Sequence, residues 1–282
     1  MSAKDRLDNL LVSRNLVADR DLGQRMVMAG QVRVKGQVVL QPSTMVVSDA
    51  EIEIDLGPRY VSRGGEKLDA ALQAFSISPV ERICADAGAS TGGFTDCLLQ
   101  HGAQRVYAID VGQGILDWKL RQDKRVVVME QTNARNLLEL PEKVSLVTID
   151  VSFISLKVLL PVISRWFDAQ GENHVIALIK PQFEAEKALV ERGKGVIRDA
   201  QAHQQVLEDV LGFAIQSEWN ILGLVASPLL GPKGNREFLA WISKGMSRNR
   251  VYHPEEIKSL AEYVSGRVFL KSENPAANTA ES

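Results

Sequence analysis

Between an apolar run and a helix-like one, residues 86–95 read Asp-Ala-Gly-Ala-Ser-Thr-Gly-Gly-Phe-Thr, a loop of small residues whose backbone can lie close to whatever it holds. A phosphate-binding P-loop would end in Gly-Lys-Ser or Gly-Lys-Thr, but Gly93 is followed by Phe94. A dinucleotide fingerprint needs a second glycine where this chain has Ser90, so a pyrophosphate is poorly served. S-adenosylmethionine carries no phosphate. It needs a glycine turn for its amino-acid tail, an acid for its ribose diol and a polar rim for adenine. Asp86, Gly88, Ala89, Ser90, Gly92, Gly93 and Phe94 offer the turn, Asp110 in Val-Tyr-Ala-Ile-Asp the acid, and Asn133 in Gln-Thr-Asn-Ala-Arg the rim. The competing reading is a plain tight turn whose glycines serve packing.

The acceptor chemistry narrows by elimination. Asp150 lies in Thr-Ile-Asp-Val-Ser-Phe, where enzymes that methylate exocyclic amines place Asp or Asn followed by Pro-Pro and an aromatic ring; Val151-Ser152 is not that pattern. Methylation of pyrimidine C5 needs a nucleophilic cysteine, whereas Cys84 falls in an apolar strand and Cys97 in a helix. An oxygen acceptor remains, and a ribose hydroxyl is so weak an acid that a base or cation at the oxygen helps its methylation. Lys180, after His-Val-Ile-Ala-Leu-Ile, is placed to serve: its stem leaves the core and its amine reaches the strand end. Partial burial or a second cation would bring a neutral amine within reach near neutral pH.

These residues need a scaffold that gathers strand ends. From residue 82 the chain alternates short apolar strands (82–86, 105–110, 125–129, 144–150, 174–180, 219–226 and 236–242) with helices near 92–101, 114–122, 155–166 and 200–215. Such alternation predicts an α/β, Rossmann-like seven-stranded sheet covered on both faces, with ligands beyond the carboxyl ends of its strands. Only nine residues, Ser-Pro-Leu-Leu-Gly-Pro-Lys-Gly-Asn, join the last two strands, too few for a helical crossover, so they run antiparallel.

The first forty residues differ in character. Seven cations (Lys4, Arg6, Arg14, Arg20, Arg25, Arg33, Lys35) face four acids, and residues 41–60 reverse the balance. Leu7, Leu10 and Leu11 mark one short helix; Leu22, Met26 and Ala29 mark a second, opened by Asp19 or Asp21 and stopped at Gly30. A hairpin turns at Lys35-Gly36 and a half-buried strand runs over 51–56. This order, with Arg-Leu-Asp at 6–8 and Ala-Gly-Gln-Val-Arg-Val-Lys-Gly at 29–36, resembles the S4 RNA-binding domain, a small α+β module. The resemblance implies phosphate contacts from Lys4, Arg6 and Arg20, with Arg63 beyond the module adding a further RNA contact. A set of solvated surface charges is the alternative.

Six further stretches, SRGGEKL (62–68), DAGASTGGFT (86–95), DVSFISL (150–156), LIKPQFE (178–184), KGVIRD (194–199) and GPKGNREFL (231–239), make the chain similar to the TlyA (hemolysin A) family of ribosomal RNA 2'-O-methyltransferases. That resemblance spans residues 4–245 and implies an FtsJ-like catalytic domain with a Lys-Asp-Lys-Glu tetrad. Carried over, the tetrad falls on Lys67, Asp150, Lys180 and Glu237: Lys180 takes or holds the 2'-hydroxyl proton, Asp150 and Glu237 orient the lysines, and Lys67 is the second cation. Taken singly, Lys67 could be a solvated residue at a helix start, Glu237 could pair with Arg236 or Lys233, and Asp150 could cap the next helix.

The resemblance also implies S-adenosylmethionine as donor, cytidine in ribosomal RNA as acceptor, ribosomal subunits as partners and no metal. The histidines at 101, 174, 203 and 253 are dispersed along the chain. The expected organisation is an S4-like domain over 1–58, a linker over 59–65 whose glycines let the small domain reorient, a methyltransferase domain over 66–268 and a disordered tail over 269–282. Residues 185–199 read as a mobile basic loop. With 45% hydrophobic residues, two cysteines and no apolar run near the roughly 18 residues of a membrane span, the expectation is a soluble, cytoplasmic protein without a disulfide scaffold. A membrane-active hemolysin, an RNA-binding protein with a silent methyltransferase fold and an NAD-dependent oxidoreductase are the rival readings.

Overall fold

The computed structural model describes residues 3–245 and 249–270, and the chain divides into two compact units, Met1–Arg59 and Tyr60–Ser282. The expected tail beyond 270 lies outside the described residues.

In the first unit, strand β1 (Lys4–Arg6) leads into helices α1 (Leu7–Ser13) and α2 (Arg20–Met28), followed by β2 (Val32–Val34), β3 (Gln37–Val38), β4 (Met45–Val47) and β5 (Ile52–Ile54). Leu7, Leu10, Leu11, Met26, Val27 and Val32 form its core, as their spacing demands. Asp19 is the N-cap of α2 and accepts from the Leu22 amide. The hairpin turns through Lys35 (φ +52°) and Gly36 (φ +76°), two left-handed residues in succession, which match the twist of the β2–β3 pair. The β1–β4 pairing, Lys4 opposite Val47, is not legible in the sequence because each strand is three residues long.

In the second unit the elements are α3 (Gly64–Phe75), β6 (Ile83–Ala87), α4 (Gly93–Gln100), β7 (Arg105–Ile109), α5 (Trp118–Gln122), β8 (Val126–Met129), β9 (Leu146–Ile149), α6 (Leu156–Ile163), β10 (Asn173–Ile179), α7 (Pro181–Glu184), α8 (Lys187–Arg192), α9 (Ala200–Gln216), β11 (Trp219–Ala226), β12 (Phe238–Lys244) and α10 (Pro254–Leu270). The seven strands are ordered β11-β12-β10-β9-β6-β7-β8. β12 runs antiparallel to both neighbours, β10 and β11, and the other pairings are parallel. Both faces are covered: along β10, Val175, Ala177 and Ile179 join the core under α6, α9 and α10, while Ile176 and Leu178 join that under α3 and α4.

Two expectations are corrected. The 114–122 helix begins only at Trp118, because Glu130, at the end of β8, accepts from the amides of Gly114 and Ile115 and pairs with Arg121, holding 114–117 as a loop. Residues 185–199 contain helix α8 and a turn anchored by buried Ile197. The two glycines of 59–65 have a packing role. Gly64 and Gly65 open α3, and a Cβ on Gly65 would lie 2.2 Å from Cγ of the buried Tyr60 ring, so glycine here admits an aromatic side chain.

Candidate active site

Each site residue sits at the carboxyl end of a strand or on the helix facing it. β6 runs into the loop Gly88–Gly92, in which Gly88, Ser90 and Gly92 all have positive φ. The neighbours of these glycines are the protein's own atoms. A Cβ on Gly88 would stand 2.6 Å from the Asp150 carbonyl oxygen, one on Gly92 2.1 Å from Leu120, and one on Gly93 2.3 Å from Ser62 Oγ. Packing against these glycines brings the β6 loop against Asp150 at the end of β9, and Gly88 and Gly93 also face the cavities beyond it.

Three adjoining cavities open along these strand ends. One of about 310 Å³ is lined by Gly88, Ser90, Asp110, Asn133, Asp150 and Ser152. A second of about 480 Å³ is lined by Ser62, Arg63, Ala89, Gly93 and Phe94, with Gly88, Ser90, Asp150 and Ser152 shared with the first. The third, about 550 Å³, is lined by Phe153, Gln182, Phe183, Lys233, Asn235 and Glu237, and shares Lys67, Asp150 and Lys180 with the second. Lys67, Asp150 and Lys180 thus stand at the junction of the second and third cavities.

Asp110 Oδ2 accepts from the Ser90 amide at 2.8 Å and Oδ1 from the Gly112 amide at 2.7 Å, so the carboxylate is fixed while still facing the first cavity. Asn133 Oδ1 accepts from the Arg135 amide, fixing that side chain on the same wall. Asp86 is not on any of these walls. It is wholly buried, its oxygens accept from Thr95 Oγ1 and Thr148 Oγ1, and burial pushes its carboxyl up to about 7. Its place is beneath the loop as a structural tie. Arg63, expected at RNA, lines the second cavity and donates from Nη2 to the Leu230 carbonyl.

The four tetrad positions converge as two ion pairs. Lys67 Nζ lies 2.5 Å from Glu237 Oε2, with both residues buried, which disposes of a solvated Lys67 and of a Glu237 paired with Arg236 or Lys233. Lys180 Nζ lies 2.5 Å from Asp150 Oδ1 and 3.4 Å from Ser152 Oγ. Pro181 holds Lys180 in extended backbone, so the strand ends with its amine at the cavity and α7 starts at the next residue. Asp150 does not cap α6. Ser155 is the cap, and Glu184 accepts from Ser155 Oγ and the Leu156 amide while burial raises its pKa.

The aromatic wall was not singled out from sequence. Phe153, 86% exposed at φ +65°, lies 4.7 Å between ring centroids from Phe183, and Lys180 Nζ is 5.8 Å from the Phe183 ring. A bulky residue held at positive φ in a site is stored strain that the surrounding loop must support. The signal available beforehand was the aromatic in Asp-Val-Ser-Phe. Away from these cavities, His101 Nε2 pairs with Asp69 Oδ1 at 2.7 Å, with Cys97 close by. In the first unit, Arg6 and Arg20 both pair with the wholly buried Asp8, while their own side chains stay 38% and 51% exposed.

Comparisons with known proteins agree with this geometry. Residues 60–244 match the FtsJ-like methyltransferase model, and 5–52 match the S4 domain model. The chain is 43% identical over 248 residues to the 16S/23S rRNA (cytidine-2'-O)-methyltransferase TlyA of Mycobacterium tuberculosis, covering 86% of this chain and 91% of that one. It is 41% identical over 241 residues to Hemolysin A of Brachyspira hyodysenteriae, covering 83% and 98%. A solved structure from Streptococcus thermophilus, described as a candidate hemolysin, superposes with a TM-score of 0.70 at 40% identity, covering 97% of this chain and 99% of that one. Two motif-bearing domains in this order, matched over most of the chain, place it in the TlyA family of FtsJ-like methyltransferases that carry an S4 domain.

Proposed function

We propose that the protein methylates the 2'-hydroxyl of a cytidine in ribosomal RNA with S-adenosylmethionine as donor. The observation that carries this reading is the position of Lys67, Asp150 and Lys180 at the junction of a glycine-walled cavity and an aromatic-walled one. The first two cavities fit the donor's chemistry. Asp110 and Asn133 offer a fixed acid and amide for a nucleoside, and Ser62, Arg63 and the 88–93 loop offer polar groups and a cation for an amino-acid tail. When bound, S-adenosylmethionine supplies a methyl group already activated on a sulfonium.

The chain's own residues then have to hold the acceptor oxygen and manage its proton. Lys180 Nζ, oriented by Asp150, takes or holds the 2'-hydroxyl proton, and Lys67, oriented by Glu237, is the second cation beside that oxygen. Most of the rate comes from alignment, because the two ion pairs fix both amines before the nucleotide arrives. Phe153 and Phe183 offer ring faces on which an unstacked base can lie, the usual way a single RNA nucleotide is held. The S4 unit supplies further contact with RNA.

Methyl transfer to ribosomal subunits and calorimetric binding of the donor test the assignment together. Lys180→Ala is expected to lower kcat by about 10²–10⁴-fold while donor affinity stays within about twofold. Full transfer by that variant would remove Lys180 from the chemistry. Wild-type protein that leaves 2'-O-methylation of ribosomal RNA unchanged when added or deleted would remove the substrate.

A further inference from the structure

Asn235 is 3% exposed and belongs to none of the ion pairs, yet its side-chain amide grips a second loop with both ends. Oδ1 accepts from the Ile197 amide at 3.0 Å, and Nδ2 donates to the Gly195 carbonyl at 2.8 Å. The assignment of oxygen and nitrogen is unique here, since reversing them would set donor against donor and acceptor against acceptor. The gripped turn includes Lys194 (φ +51°) and Gly195 (φ +84°), so it has little backbone preference of its own. His203 Nε2, 3.1 Å from the Ile197 carbonyl oxygen, supports it from behind. Val190 and Gly195 line the third cavity and neither of the other two. The same segment carries exposed Arg192, Lys194 and Arg198.

We propose that Asn235 is a positioning residue that builds the acceptor side of the site, clamping the 193–197 turn as a wall of the cavity that receives the target nucleotide. The inference rests on the ribose-methylation reading above. The catalytic strand does not depend on this clamp. The Asn235 carbonyl accepts from Gly231, and the Ser227 amide donates to the Glu237 carbonyl, both through the backbone. Losing the side-chain amide therefore frees the turn while leaving the Lys67–Glu237 pair and the donor cavities in place.

The test is steady-state methylation of ribosomal subunits by full-length Asn235→Ala and Asn235→Asp. For the alanine variant, KM for RNA rises about tenfold, with kcat within about threefold and donor affinity within about twofold of wild type, the signature of binding lost equally from the ground and transition states. Asn235→Asp keeps the bond from Ile197 but sets a carboxylate oxygen against the Gly195 carbonyl, so its KM rises at least as far as the alanine variant's, and it carries the test if the alanine variant does not fold. Trypsin should cut after Arg192, Lys194 or Arg198 several-fold faster in both variants at a temperature well below the unfolding midpoint of each. An unchanged KM, an equal fall in kcat, or a loss of donor affinity overturns the proposal. A wild-type protein inactive on RNA fails the functional reading instead, and the proteolysis result still reports whether the clamp holds the turn.

Discussion

At the scale of single residues, the site combines charges that need one another with one carboxyl that holds a proton. Lys67 and Glu237 are buried as a pair, so removing one partner strands the other: Glu237→Leu is expected to destabilise the protein by roughly 3–5 kcal/mol in urea unfolding. The double variant Lys67→Met/Glu237→Leu should regain most of that stability without regaining methyl transfer, and a double variant as unstable as the single one would show that the pair is not coupled. Asp86 acts in the opposite sense. Its carboxyl ionises near 3.8 when unfolded and near 7 when buried, so the folded state keeps the proton longer and stability falls as pH rises across that window. Asp86→Asn removes that dependence. Thermal unfolding from pH 4 to pH 8 should show the wild type losing on the order of 3–4 kcal/mol relative to the variant, and parallel profiles would contradict a buried neutral acid.

At the scale of elements, close approaches between helix starts decide the shape of the donor side. Gly65 admits the Tyr60 ring, and Gly93 lies against Ser62 and Gly65, so α3 and α4 begin in mutual contact. Gly65→Ala puts a methyl group into an aromatic ring and is expected to lower stability by about 1–3 kcal/mol and to weaken donor binding, because Ser62 and Gly93 both line that cavity. Calorimetry with S-adenosylmethionine on the folded variant checks the second half; unaltered affinity would separate the helix contact from the donor site. Within 59–65, Gly64 and Gly65 thus belong to α3 and are set by its contacts. Glycine permits unusual φ and it also permits contact, and composition cannot tell which use is in force.

At the scale of the whole molecule, a net charge of -2 means that attraction to RNA has to come from local surfaces. Within the S4 unit the cations are not equivalent. Arg6 and Arg20 hold buried Asp8, whose pKa their guanidinium groups depress, whereas Lys4, opposite Val47 on β1, is exposed. Arg6→Ala should therefore lower the unfolding midpoint, and Lys4→Ala should leave it unchanged while reducing the salt dependence of RNA binding. Equal effects of the two substitutions on stability would contradict this division.

What the sequence determined by itself was the seven strands of the large sheet with the main helices between them, the two-domain plan, and the strand-end placement of Asp110, Asn133, Asp150 and Lys180, because apolar periodicity and loop composition are local properties. Lys67 and Glu237, 170 residues apart, were legible through their motifs, and the resemblance implied that the carboxylates orient the lysines, but not which carboxylate meets which lysine. Only the tertiary structure decided that pairing, the removal of Asp86 from the cavity walls, the use of the loop glycines for packing, and the Asn235 clamp on residues 195–197. Each depends on which atoms meet when the sheet closes, and a contact between segments distant in the chain leaves no periodic trace in either one.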